Sequence, residues 1–227
     1  MDQEIDIRKE LEAARTRAAR IPKLTGDSDE INAYWEVACG DVLAAELAIR
    51  EQNWQWEIAD LTREFLHYAR PLEEHDSMLD LLCQAASRMA KTLYEHPRLK
   101  VELLKFYLSV AQRLENLNGD KCDKHDDPDD IAMEIDELNH NIALADNGKL
   151  DEIPATGHIK HDPVEWTARW EEIIDKADKI VYERLADHPR GMGFCHAFWY
   201  ERSEVLEKEF GFAWRSPAIM NPRVMFD

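Results

Sequence analysis

The chain has 227 residues, enough for one large domain or a domain with an appendage. Its 44 % hydrophobic share supplies a real core, and its formal net charge of −19 repels nucleic acid and anionic membrane. No stretch approaches the roughly 18 apolar residues of a membrane span. The acidic opening Met1-Asp2-Gln3-Glu4-Ile5-Asp6 lacks the apolar segment of a secretory signal, so a cytoplasmic protein is expected.

Good helix formers dominate, and only 8 glycines and 9 prolines punctuate the chain, so its elements are expected to be long helices. Residues 3–20 place Ile7, Leu11, Ala14 and Ala18 on one helix face. Ile21-Pro22 and Gly26 close it, and Asp27 or Ser28 caps a second helix to Arg50, with Ile31, Trp35, Ala38, Val42 and Ala45 inward. A third helix, 54–69, carries Trp54, Ile58, Leu61, Phe65 and Tyr68 and stops at Arg70-Pro71. A fourth, 76–94, turns Met78, Leu82, Ala86, Met89 and Leu93 inward. The fifth opens at Pro97, carries Val101, Leu104, Leu108, Ala111 and Leu114, and ends at Asn118-Gly119.

Residues 120–152 hold twelve acidic residues against three lysines. Asp120 to Asp130 reads as a loop. Pro128 then starts a helix with Ile131, Ile135, Leu138 and Ile142 on its apolar face, ending at Asn147-Gly148. After a linker, residues 163–186 form a long helix with Trp166, Trp170, Ile173, Ile174, Ala177 and Val181 inward. Gly191-Met192-Gly193-Phe194 turns the chain into a short helix, 195–210. The tail holds Phe212, Trp214, Pro217, Pro222 and Phe226, and is expected to pack back on the bundle with no more than one helical turn.

These elements predict an all-α fold, a multi-helix antiparallel bundle with an acidic loop-helix insertion and an aromatic-rich, partly irregular C-terminal segment. Composition divides it into a five-helix bundle over 1–119, the acidic loop and helix over 120–157, and the closing helices and tail over 158–227, together one domain.

Several constellations bear on chemistry. Cys122-x-x-His125 and His158-x-x-His161 flank the acidic helix and offer four ligands for tetrahedral zinc. Their 32-residue separation exceeds finger spacing, and both lie in hydrophilic loops. Glu64-x-x-His67 and Glu137-x-x-His140 imitate the pairs of carboxylate-bridged metal bundles, but helical geometry turns both histidines away from the core. Phosphate-loop, nucleophile-elbow and zinc-protease motifs do not occur. Cys39 and Cys83 sit among apolar neighbours and are expected to be free thiols.

Two surfaces point to a partner instead. Asp127, Asp129, Asp130, Glu134, Asp136 and Glu137 crowd one stretch of helix, a pattern suited to a basic surface and, in its sharper form, to mimicry of nucleic-acid phosphates. Phe198, Trp199 and Tyr200 are adjacent aromatics of the kind that anchor interfaces. The expectation is a non-enzymatic protein acting on another, basic protein without a cofactor. The alternative is a zinc-binding helical protein, and in its catalytic form a metal-dependent enzyme, built on Cys122, His125, His158 and His161.

Overall fold

In a computed structural model of the chain, residues 2–118, 126–155 and 157–226 are described, with side chains from Ile7 onward and not for Asn118. All the regular elements among these residues are helical, as the apolar periodicity predicts, and none is long and apolar enough to cross a membrane. Contacts divide the chain at a different place from composition. One compact unit comprises the residues up to Glu51 together with Glu57–Leu138, and the other comprises Gln52–Trp56 and Asn139–Asp227.

In the first unit, α1 (Asp2–Ala18) lays Leu11, Ala14 and Ala18 against α2 (Ser28–Arg50). The N-cap of α2 is Asp27, whose carboxylate accepts from the backbone N–H of Asp29 at 2.8 Å. Alanine on several sides of α2 lets it pack against α1, α3 (Ile58–Leu72) and α4 (Leu79–Ala90) alike. Ala33, Ala38, Ala44, Ala45 and Ala48 are all buried there. At Gly40 the approach of α1 is closest: an added Cβ would lie 2.8 Å from Leu11 Cδ1.

Boundaries shift where backbone chemistry intervenes. The third helix begins later than expected, because Gln52 and Trp54 take left-handed backbone (φ 48° and 55°) and residues 55–57 form a 3₁₀ turn. It also runs through Pro71 to Leu72. A proline so near the end forfeits one hydrogen bond and no more, since the helix stops a residue later. A 3₁₀ turn over 76–78 precedes α4, which closes at Ala90, and Thr92 Oγ1 donates to the Met89 carbonyl at 2.8 Å just beyond. α5 (Pro97–Asn118) packs on α4 and α3, with Phe106 edge-on to Phe65 at 6.0 Å between centroids. α6 (Pro128–Asp146) is one continuous helix that crosses from the first unit into the second after Leu138.

The second unit is built on α7 (Ala168–Arg184) and α8 (Phe194–Phe210). Trp170, Ile173, Ile174, Ala177, Val181 and Tyr182 of α7 meet Phe198, Val205 and Leu206 of α8 in one buried cluster, closed over by Trp214. α8 ends on Gly211 in left-handed backbone (φ 61°), with the Phe212 N–H donating back to the Leu206 carbonyl at 2.9 Å. The tail folds back on residues 160–165 and α7 of its own unit and contains a single helical turn, α9 (Pro217–Met220). Two polar clasps hold it. Arg215 donates from its backbone N–H, Nε and Nη2 to the buried carboxylate of Asp162 at 2.8–3.0 Å, and Asn221 exchanges two hydrogen bonds with the backbone of Lys160.

Candidate functional site

The acidic stretch expected to meet a partner is divided by the structure into three kinds of carboxylate. Asp127 precedes α6, and its side chain accepts from the Asp129 N–H at 3.0 Å, satisfying a helix donor that would otherwise be bare. Glu134 pairs with Lys100 of α5 at 2.7 Å. Asp129, Asp130, Asp136 and Glu137 are exposed, and no described cation pairs with them. Asp129, Met133, Asp136 and His140 recur at helical spacing on the outer face of α6, opposite buried Ile131 and Ile135, and Met133 at 69 % exposure sits among the acids.

Asp130 and Glu134 also border a cleft of about 410 Å³ between α4, α5 and the start of α6. At its base the Tyr107 and Ser87 hydroxyls each donate to Asp126 Oδ2 at 3.0 Å. Burial pushes the Tyr107 phenol up to about 12, against the effect of the neighbouring Ser87 hydroxyl, and the Asp126 charge adds to the shift. Tyr107 is therefore a neutral donor at physiological pH and not a base. Lys91 and Lys100 line the cleft together with Asp126, Asp130 and Glu134, so the lining is mixed in sign.

Of the aromatic trio on α8, Phe198 is 7 % exposed and belongs to the core, with its ring 5.0 Å from that of Tyr182 and 4.8 Å from the Arg202 guanidinium carbon. It therefore offers no surface to a partner. Trp199 is half-buried and receives Phe226 of the tail edge-on at 4.9 Å. Tyr200 is 66 % exposed and, with Trp199 and Ile219, borders a shallow groove. The α8 helix period separates the three rings, since consecutive residues point about 100° apart.

Cys122 and His125 lie outside the described residues. His158 is exposed, and His161 Nδ1 lies 3.1 Å from Glu165 Oε2. Among the described residues no group of three or more His, Cys, Asp or Glu side chains is placed to hold a metal ion. His67 and His140 are exposed, as their helical positions require.

One constellation escaped the sequence reading. Asp41 is wholly buried in α2, and neither of its carboxyl oxygens has a hydrogen-bond donor in reach. Arg15 Nη2 of α1 approaches to 3.5 Å, but Glu64 of α3 holds that nitrogen and Glu12 holds Nη1. Burial pushes the Asp41 acid up to about 9; Glu64 adds to the rise through its charge and a hydrogen bond to the acid form, and Arg15 opposes it. Desolvation works against the Arg15 charge, yet hydrogen bonds to Glu64 and Glu12 outweigh it and raise its pKa. Tyr68, also raised chiefly by burial, stands beside the pair with its ring edge-on to Tyr34 at 5.1 Å. The signal was present in the sequence: Asp41 is three and four residues from buried Ala38, Val37, Ala44 and Ala45, so it shares their face.

No protein-family model, no curated protein and no solved structure matches the chain.

Proposed function

We propose that the protein acts without catalysis, by binding another protein that presents a basic surface, and that the outer face of α6 is the contact. One observation carries this reading: Asp129, Asp136 and Glu137 are exposed with no described cation paired with them, on a chain of net charge −19. Exposed carboxylates lose little hydration at the rim of an interface, steer a cationic partner by long-range attraction and penalise anionic competitors. Met133, set among them, supplies adaptable apolar contact once charge has brought the surfaces together. Tyr200 and the exposed edge of Trp199 form a separate aromatic patch suited to a partner. In the sharper form of the reading, the acids stand in for phosphates. Asp129 and Asp136, like Asp130 and Glu137, are one heptad apart, about 10 Å along the helix axis.

The test is affinity capture on immobilised protein at low salt, with native chain and an Asp129→Asn/Asp136→Asn/Glu137→Gln variant in parallel. A protein held by the native chain, lost from the variant and released by ~1 M salt, where the Debye length is ~3 Å, is the expected result. Equal capture by both chains would exclude the α6 face. Competition by duplex DNA for the captured protein is the further outcome that phosphate mimicry requires.

A further inference from the structure

We propose that the Asp41–Glu64 pair is a proton-operated catch: at neutral pH Asp41 is a carboxylic acid that donates its proton to Glu64, and losing that proton loosens α1 from α2 and α3. Asp41 is fully buried in α2 between the two helices that pack most extensively on it. As a carboxylate it would need donors, and none is in hydrogen-bond reach of either oxygen. The one cation close by, Arg15, stands off at 3.5 Å because Glu64 and Glu12 hold it. A buried charge so poorly compensated is strongly disfavoured, and the group escapes that cost by keeping its proton.

As an acid, Asp41 changes from a bare acceptor into a donor, and Glu64, whose Oε2 meets the same Arg15 Nη2 that approaches Asp41, is the acceptor assigned to it. The pair then resembles other carboxyl pairs that share one proton because both cannot ionise side by side. The groups acting on Asp41 are Arg15 from α1 and Glu64 from α3, with Tyr68 of α3 and Tyr34 of α2 next to the pair. The charged group that α4 turns toward α2 is Arg88, which Glu46 holds at 2.6 Å and 2.8 Å. Once Asp41 ionises, three carboxylates (Asp41, Glu64 and Glu12) face one guanidinium. Arg15 is the residue of α1 that reaches both α2 and α3, so the strain falls on the docking of α1.

The folded acid binds its proton more tightly than the unfolded chain, whose carboxyl titrates near 3.8. Between that value and about 9 the folded state therefore holds one more proton, and raising the pH favours opening. The stabilisation is complete below the unfolded value and is lost as pH rises toward the folded one.

Two measurements on the 227-residue chain test this. In a carboxyl-carbon NMR titration of the native protein, the Asp41 resonance is expected to shift in the alkaline range; a midpoint near 4 would overturn the proposal. In amide exchange of α1 and α2, the protection of the native chain relative to Asp41→Asn is expected to fall by up to tenfold per pH unit from pH 5.5 toward 9. A ratio independent of pH would overturn it as well. Glu64→Gln, which removes the like charge but keeps an acceptor, is expected to move the native midpoint downward. An unmoved midpoint would exclude Glu64 as the partner.

Discussion

Arg202 meets Asp178 inside the aromatic core of the second unit, Nε donating to Oδ1 at 2.8 Å and Nη2 to Oδ2 at 2.5 Å, with both side chains buried. The guanidinium also lies 4.8 Å from the Phe198 ring centroid and 5.4 Å from that of Trp214. The planar fork matches the carboxylate, and the rings accept the delocalised charge on its faces. Removing one member strands the other in a medium that cannot solvate it. Asp178→Ala is expected to cost about 3–5 kcal/mol, read as a lower urea midpoint by tryptophan fluorescence. The double change Arg202→Met/Asp178→Leu is expected to recover much of that loss, because an apolar pair leaves no buried charge.

Close approach of helices makes a different prediction at Gly40. A single methyl there would contact Leu11 Cδ1 at 2.8 Å and Leu11 Cβ at 3.5 Å, so the 3 % exposed Leu11 side chain has to turn toward the cleft it lines together with Gly40. Gly40→Val adds two more carbons on a stiff β-branched side chain. The expected cost is about 1–3 kcal/mol, despite the gain in helix propensity over glycine. Pairing it with Leu11→Ala is expected to cost less than the two changes summed, as befits residues in contact. Thermal unfolding of the four chains measures that coupling.

The tail clasp is predicted to fail in acid. Burial alone would raise the Asp162 carboxyl, but three hydrogen bonds from Arg215 overcome it and hold the group below its usual range. A depressed carboxyl contributes stability above its unfolded value of 3.8 that is lost as pH falls through the lower, folded one. Release of Trp214, whose Nε1 donates to Glu165 at 2.7 Å, is the reporter. Its fluorescence is expected to change below pH 4 in the native chain. In Asp162→Asn the tail is expected to be looser already at pH 7, with no further acid step from this position.

The helices were legible because burial repeats every three or four residues along nearly every one, and that pattern survives in a single sequence. Helix ends were less so. The left-handed residues Gln52 and Trp54 carry no glycine signature, and Pro71 sits where its missing N–H costs little, so neither boundary could be read from composition. The acidic stretch was visible, but not its division into a cap (Asp127), an ion pair (Glu134) and acids with no described cation paired to them, because that depends on which cation another helix brings near. Lys100 is 34 residues away in sequence from Glu134. Phe198 read as one of three equivalent rings, whereas the helix period buries it and exposes Tyr200. Asp41 was masked by expectation: one acid in an alanine-rich helix reads as a solvent-facing residue until its position among the buried ones is counted.

The same division of the acidic stretch separates stability from binding. Asp127 satisfies the Asp129 N–H, and Asp129 and Asp130 lie in the first turn of α6, where negative charge favours the helix dipole. Asp136 and Glu137 lie in the middle of the helix, exposed, amid other acids and with no described cation. Asp127→Ala is therefore expected to cost about 0.5–2 kcal/mol and to raise amide exchange in the first turn of α6. Asp136→Asn/Glu137→Gln is expected to leave stability within about 0.5 kcal/mol, with any change toward greater stability at low salt as like charges are relieved. If the double variant folds as well as the native chain yet fails to hold a basic protein, the two acids serve the surface and not the fold. Marked destabilisation of that variant would instead show that the outer face of α6 is packed against other parts of the chain.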